Sequence, residues 1–136
     1  MKRIVMTLCT LILGGLCALP CLAQEQDNAT AGPEIVGQGP FVAYAMDERY
    51  TAYGLGRGND MDEAKANAVL SLGLDPSQVG ERGAAMPACV AVAQHADGVI
   101  AGLDISDLEG TQQGVLRKCE EQFGSPCTVV TGFCSQ

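Results

Sequence analysis

The chain has 136 residues, no tryptophan, and sixteen acidic side chains against eight basic ones, for a formal charge of −8. That length admits one domain, and the acidic balance excludes nucleic acid and anionic lipid as natural partners, because basic patches supply the affinity for both. With aromatic residues at 4 %, the core has to be built from Val, Ala, Leu and Ile, whose small side chains bury little area each.

Lys2 and Arg3 precede an uncharged apolar run over residues 4–19, then Pro20 and Cys21-Leu22-Ala23, with small residues where a signal peptidase reads. This order predicts a signal peptide over 1–23, cleaved after Ala23. The alternative is a retained membrane anchor. It needs about 20 consecutive apolar residues, and Gly14-Gly15 and Pro20 interrupt this run. No stable membrane anchor is therefore expected after cleavage, and the protein is read as exported, to the periplasm or beyond. Lipidation also fits poorly, since Cys17 follows Leu16 and Cys21 follows Pro20 rather than a small residue.

Cleavage removes Lys2 and Arg3, which takes the formal charge from −8 to −10, and it removes Cys9, Cys17 and Cys21. Cys89, Cys119, Cys127 and Cys134 remain. An even cysteine count in an oxidising compartment reads as a disulfide framework, with three connectivities open. The rival is a four-cysteine zinc site, whose paired C-x-x-C spacing is missing here: the gaps are 29, 7 and 6 residues.

Residues 24–39 are polar, contain Pro33 and lack periodicity, so they are expected to form a flexible lead-in. Asn28-Ala29-Thr30 within it matches a glycosylation acceptor, a triplet that arises often by chance.

From Phe41 onward the chain reads as two similar units. The first has FVAYA (41–45), a turn at Asp47-Glu48, TAYGLGRG (51–58) and DMDEAKANAVLSLG (60–73). The second has CVAVA (89–93), a turn at His95-Ala96-Asp97-Gly98, VIAGLDIS (99–106) and DLEGTQQGVLRKCEE (107–121). Val42-Ala43 and Ala45 match Val90-Ala91 and Ala93 at an offset of 48, as Gly54-Leu55 matches Gly102-Leu103. Each unit predicts a β-hairpin followed by a helix. Asp60 and Asp107 stand at the N-cap positions, and Glu63 completes a capping box with Asp60. Met61, Ala64, Ala68 and Leu72 recur at helical spacing, as do Leu108, Val115, Leu116 and Cys119. Gly110 and Gly114 weaken the second helix by up to about 1 kcal/mol each relative to Ala. After Ser125-Pro126, CTVVTGFC (127–134) predicts a closing strand. The expected fold is α+β: two hairpin–helix units forming an antiparallel sheet packed on the helices, with a C-terminal strand and disulfide bracing.

The segment ACVAVA (88–93), the hairpin return with AGLD (101–104), the helix ending in Cys119 and the tail CTVV…FC (127–134) resemble the DUF4189 family, small exported bacterial domains of unassigned function. The resemblance spans roughly residues 40–136. Members carry a helix-end cysteine and a strand cysteine in each half, one cysteine opening the second half and one at the tail. Here the second half keeps its pair as Cys119 and Cys127, with Cys89 opening the half and Cys134 closing the chain. The first half departs from the pattern: Leu72-Gly73 stands at its helix end, and no cysteine follows until Cys89. The resemblance thus implies Cys119–Cys127 and Cys89–Cys134. The family's tryptophan-rich hairpins are replaced by Tyr53 and Leu55 in one unit and Ile100 and Leu103 in the other. The family supplies no catalytic residue.

Chemistry is sparse. His95 is the lone histidine and is expected exposed in a turn, where it serves as a polar turn residue. Asp47 with Glu48, or the Asp60-Asp62-Glu63 cluster, would suit acid–base work if a cleft joined them. The simpler reading is turn residues and negative charge at a helix N-terminus. Neither acidic stretch has the ligand spacing of a calcium loop, and LGRGND (55–60) lacks a phosphate-binding lysine. No metal or cofactor is expected. The leading expectation is an exported binding module for a cationic protein, meeting it through Asp47, Glu48, Asp60, Asp62, Asp97 and Asp107. The alternatives are an envelope hydrolase using an acidic pair and a cell-wall glycan-binding module, the latter disfavoured by the missing tryptophans.

Overall fold

A computed structural model describes residues 32–136. The signal segment 1–23 and residues 24–31 of the lead-in lie outside the described residues. The elements run β1 (Ile35–Val36), β2 (Phe41–Asp47), β3 (Tyr53–Gly58), α1 (Met61–Leu72), a single 3₁₀ turn (Pro76–Gln78), β4 (Val79–Ala85), β5 (Cys89–His95), β6 (Gly98–Asp104), α2 (Leu108–Phe123) and β7 (Thr128–Cys134).

The fold is α+β, but with two sheets where one was expected. One sheet has the order β1-β3-β2-β4 and the other β6-β5-β7. All pairings are antiparallel except β1 with β3, which is parallel. The lead-in therefore contributes a strand, because Ile35 and Val36 pair with Leu55 and Gly56. β4 is also absent from the sequence reading. Its residues VGERGAA alternate neither in polarity nor in size, and its place is set by pairing with β2.

The central strands explain the layering. β2 alternates large Val42, Tyr44 and Met46 with small Ala43 and Ala45, and β5 alternates Val90 and Val92 with Ala91 and Ala93; all are buried. Successive side chains in a strand point to opposite faces, so this alternation in size sorts each strand into a bulky face and a shallow one. The bulky faces of the two sheets pack against each other, with Leu55, Val99 and Ala101 in the same cluster. The shallow faces receive the helices: Ala43 and Ala45 meet Ala64, Ala68 and Val69 of α1, while Ala91, Ala93 and Ile100 meet Val115 and Cys119 of α2. The layer order is helix, sheet, sheet, helix.

α1 lies unusually close to β3. A Cβ at Gly54, Gly56 or Gly58 would overlap main-chain atoms of α1 at Ala64, Ala68 or Leu72. The helix starts where Asp60 Oδ1 accepts the Glu63 N–H at 2.8 Å, and Glu63 Oε2 in turn accepts the Asn59 N–H at 2.8 Å. It ends at Gly73, whose φ of 74° suits a residue without a Cβ. α2 starts likewise at Asp107, whose Oδ1 accepts the Gly110 N–H at 2.8 Å.

The ladder places Gly56 opposite Ala43 and Gly102 opposite Ala91. The matching of Gly54-Leu55 with Gly102-Leu103 is therefore displaced by two residues, because the second hairpin turn is shorter. Disulfides join Cys89 to Cys134, directly opposite in the β5–β7 ladder, and Cys119 of α2 to Cys127 just before β7. This is the pairing that the resemblance implies.

Two outcomes are expected in denaturant unfolding. Gly56→Ala should cost about 2–3 kcal/mol through overpacking, whereas Gly114→Ala, where an added Cβ meets nothing within 4 Å, should gain about 0.5–1 kcal/mol. Replacing Cys89 and Cys134 by Ala should cost more than replacing Cys119 and Cys127, because the sequence separations are 45 and 8. Loop-closure entropy gives about 4 kcal/mol for the first pair against about 2.5 kcal/mol for the second.

Candidate functional site

The six acidic residues singled out in the sequence do not form one surface. Asp47, Glu48 and Asp97 belong to the ends of the two hairpins, whereas Asp60, Asp62 and Asp107 belong to the helix starts. In the first sheet these groups are separated by the length of β3, about 20 Å. The carboxyls of a glycosidase pair stand within about 10 Å of one another, so Asp47 and Asp62 cannot serve as such a pair. Asp60 and Asp107 are exposed, but each spends an oxygen on its helix cap.

Asp47 is the clearest correction to the expected docking surface. It is 9 % exposed. Its Oδ1 accepts the Thr51 and Ala52 N–H groups at 2.7 and 2.9 Å, and its Oδ2 accepts the Thr51 hydroxyl at 2.6 Å. Burial by itself would raise the carboxyl; the Thr51 hydroxyl and the two N–H groups outweigh it and hold Asp47 below the ordinary carboxylate range. It braces the turn that carries Tyr50.

That turn matters because it closes the molecule. Tyr50 adopts a left-handed conformation with φ 55°, and its carbonyl accepts the Val99 N–H at 2.8 Å. The Ala101 N–H, on the same strand, points to Met46 Sδ at 3.1 Å. The outer edge of β6 is thereby covered by the first hairpin, which brings the two hairpin turns to the same end of the molecule. His95 is also less open than expected. Its side chain is 11 % exposed, stacks on Phe123 at 5.6 Å between ring centroids, and accepts the Asp97 N–H on Nδ1 at 3.0 Å.

A cleft of about 300 Å³ opens at this end, floored by Met46 and Ala101 and lined by Tyr50, Glu81, Lys118 and Glu121. Tyr44 donates its hydroxyl to Glu81 Oε1 at 2.6 Å. Burial first, and this hydrogen bond to a carboxylate second, push the Tyr44 phenol well above its ordinary value. The Glu81 carboxylate is thereby oriented from beneath. Gly80 packs against the main chain of Glu48, so Glu48 adjoins the same end, as does the exposed Asp97. Among the described residues no lysine or arginine forms an ion pair with any of these carboxylates.

Glu81 and Glu121 were not singled out in the sequence. Glu81 lies in the unforeseen β4. Glu121 carried a readable sign, because Glu120 and Glu121 sit in the last turn of α2, where the macrodipole disfavours negative charge and no basic residue shares the turn. Among the described residues no three His, Cys, Asp or Glu side chains group as metal ligands, and no helix is long and apolar enough to cross a membrane.

No family profile matches the chain. No curated protein and no solved structure shows significant similarity to it either.

Because the Asp47 carboxyl is lowered on folding, its contribution to stability is complete above the unfolded carboxylate value and is lost as pH falls through the folded one. Asp47→Asn should cost about 1–3 kcal/mol at neutral pH. The difference from wild type should shrink as pH falls into the acid range, which urea unfolding across a pH series measures.

Proposed function

We propose that this chain is an exported, disulfide-braced binding module that neutralises or inhibits a cationic protein through its hairpin-turn end. The observation that carries the reading is a cleft lined by Glu81 and Glu121, with Glu48 and Asp97 at the same end of the molecule. Lys118 also lines it, but among the described residues no lysine or arginine forms an ion pair with any of these four carboxylates. Glu121 stands in the last turn of α2, a position the helix dipole disfavours for a carboxylate, and no basic residue shares that turn. A lysine or arginine side chain of a partner entering this cleft would meet Glu81 and Glu121 together. The other acids act at longer range. A formal charge of −10 after loss of Lys2 and Arg3 would steer a basic protein toward the module, more weakly as salt rises.

Export is part of the same reading. Two disulfides are compatible with an oxidising compartment, periplasmic or extracellular. The chain would also be a DUF4189-like domain built from two repeats of one hairpin–helix–strand unit. In support, Val42 pairs with Ala85 and Val90 with Phe133, so first and third strands share an offset of 48. The asymmetry is also informative: α1 is held by glycines and alanines, α2 by larger side chains and a disulfide.

The test is a charge-neutralised variant, Glu48→Gln, Glu81→Gln, Asp97→Asn and Glu121→Gln, compared with wild type in affinity capture from the cell's own envelope and secreted fractions. Glutamine at 81 keeps an acceptor for Tyr44, so the melting temperature should hold. A basic protein retained by wild type at low salt, released at moderate salt and lost by the variant is the expected result. Equal retention by both forms at both salt levels would overturn the electrostatic reading.

A further inference from the structure

Three of the four sheet edges are short, covered or charged. The first sheet ends on β1, only two residues long, and side chains of α1 meet β3 beside it: Ser71 Oγ accepts the Leu55 N–H at 3.1 Å, and Asn67 donates to the Arg57 carbonyl at 2.8 Å. The β6 edge is covered by Tyr50 and Met46. The β4 edge carries Glu81 and Arg82 with two glycines, features that discourage pairing. β7 differs. Its residues TVVTGFC include no charge and no proline, and among the described residues no strand lies on its outer side. At its far end the Arg57 guanidinium donates to the Cys134 carbonyl at 2.9 Å.

Beside this edge the two sheets stand apart, leaving a groove of about 720 Å³. Ile35 and Val130 form its banks, Tyr53, Leu55 and Val99 its apolar floor, and no charged side chain lines it. A bulge in β7 falls at Val130, between the pairs Val92–Thr131 and Ala93–Val129. Bulges re-aim side chains, and this one leaves Val130 42 % exposed at the groove. Along the regular edge beyond the bulge, Thr131–Phe133, the main-chain groups of Thr131 and Phe133 bond inward to β5, so Gly132 turns its N–H and C=O outward. Gln94 and Thr131 remain available to bond a ligand, since the Thr51 hydroxyl is committed to Asp47.

We infer that this groove receives an extended segment of the cationic partner, added as a short strand beside Thr131–Phe133 with uncharged side chains at alternate positions seated between the sheets. The inference rests on the proposed partner class and adds a recognition mode to it. Main-chain pairing at an open edge supplies affinity, and the pockets under alternate residues supply selectivity. The lining has no charge to compensate a buried lysine, so the basic residues of the segment belong at its flanks, near exposed Glu34 and Asp97. A second copy of this chain is a poor occupant, because both copies carry the same strong negative charge.

The test uses isotope-labelled, oxidised protein titrated with a synthetic peptide of about ten residues, alternating valine and threonine with lysines at both ends. Amide shifts are expected at Thr131, Gly132 and Phe133 and at Tyr53, Leu55 and Val99. N-methylation of one alternate set of peptide amides should weaken binding about tenfold or more, while the other set should have little effect. Val130→Lys, at an exposed position, should weaken binding similarly with the melting temperature unchanged. Shifts confined to Glu48 and Asp97 and abolished by salt would overturn this inference and leave the cationic reading standing. Groove shifts that persist with a neutral-flanked peptide and ignore salt would uphold the strand and overturn the cationic reading. Equal effects of both methylated sets, self-association through β7 without peptide, or no shifts at all would each overturn the inference.

Discussion

The close approach of α1 to β3 is the constraint on which the rest of the structure depends. Gly54, Gly56 and Gly58 strip one face of β3, and Ala64 and Ala68 present a helix surface shallow enough to fill the space. Contact at that range gains dispersion from many atoms at once, though each alanine buries little area. It also lets helix side chains reach the sheet edge. Asn67 and Ser71, one turn apart on α1, bond Arg57 and Leu55 of β3, and Ser71 also donates to the Glu34 carbonyl at 2.6 Å. A helix set further out could not serve an edge in this way. β1 is only two residues long, and it is positioned through the same contacts.

A shallow helix interface has a consequence for the other face. Since small residues meet α1 and α2, the large side chains of β2 and β5 must find burial elsewhere, and the second sheet provides it. Val42, Tyr44, Met46, Val90 and Val92 therefore make the main core between the sheets. The second half relaxes the glycine rule. Gly98, Gly102 and Gly132 face side chains of α2 (Phe123, Val115 and Leu108) rather than its main chain, and α2 itself contains Gly110 and Gly114. A helix with that composition is marginal alone, and Cys119–Cys127 ties its end to the approach of β7.

Much of this was legible locally. The hairpins, both aspartate caps and the closing strand follow from turn chemistry and periodicity. The two-sheet core was not, because the patterns were read by polarity, whereas VAYAM and VAVA alternate in size between two buried faces. β4 left no local trace: Ala84 is its sole buried residue, and its pairing with β2 is a tertiary matter. The site was less legible still. Charge identified the acids but not their places. Asp47 reads as a surface turn residue until the Thr51 hydroxyl and neighbouring N–H groups enclose it. Glu120-Glu121, by contrast, could have been found as a conflict between residue type and position at a helix end.

Local costs accumulate at the hairpin-turn end. A non-glycine residue in the left-handed region costs about 1–2 kcal/mol, and Tyr50 accepts it. What the conformation yields is visible in the carbonyl bond to Val99, which joins the first hairpin to the edge of the second sheet. The acids in the last turn of α2 have no ion-pair partner among the described residues. The surfaces of the molecule divide in a related way. The end closed by main-chain bonds displays its charge to solvent, and the side left open at β7 is uncharged. On the proposed reading, long-range attraction and short-range fit would fall on different surfaces, and charge would draw a partner in without any ion being buried in the groove.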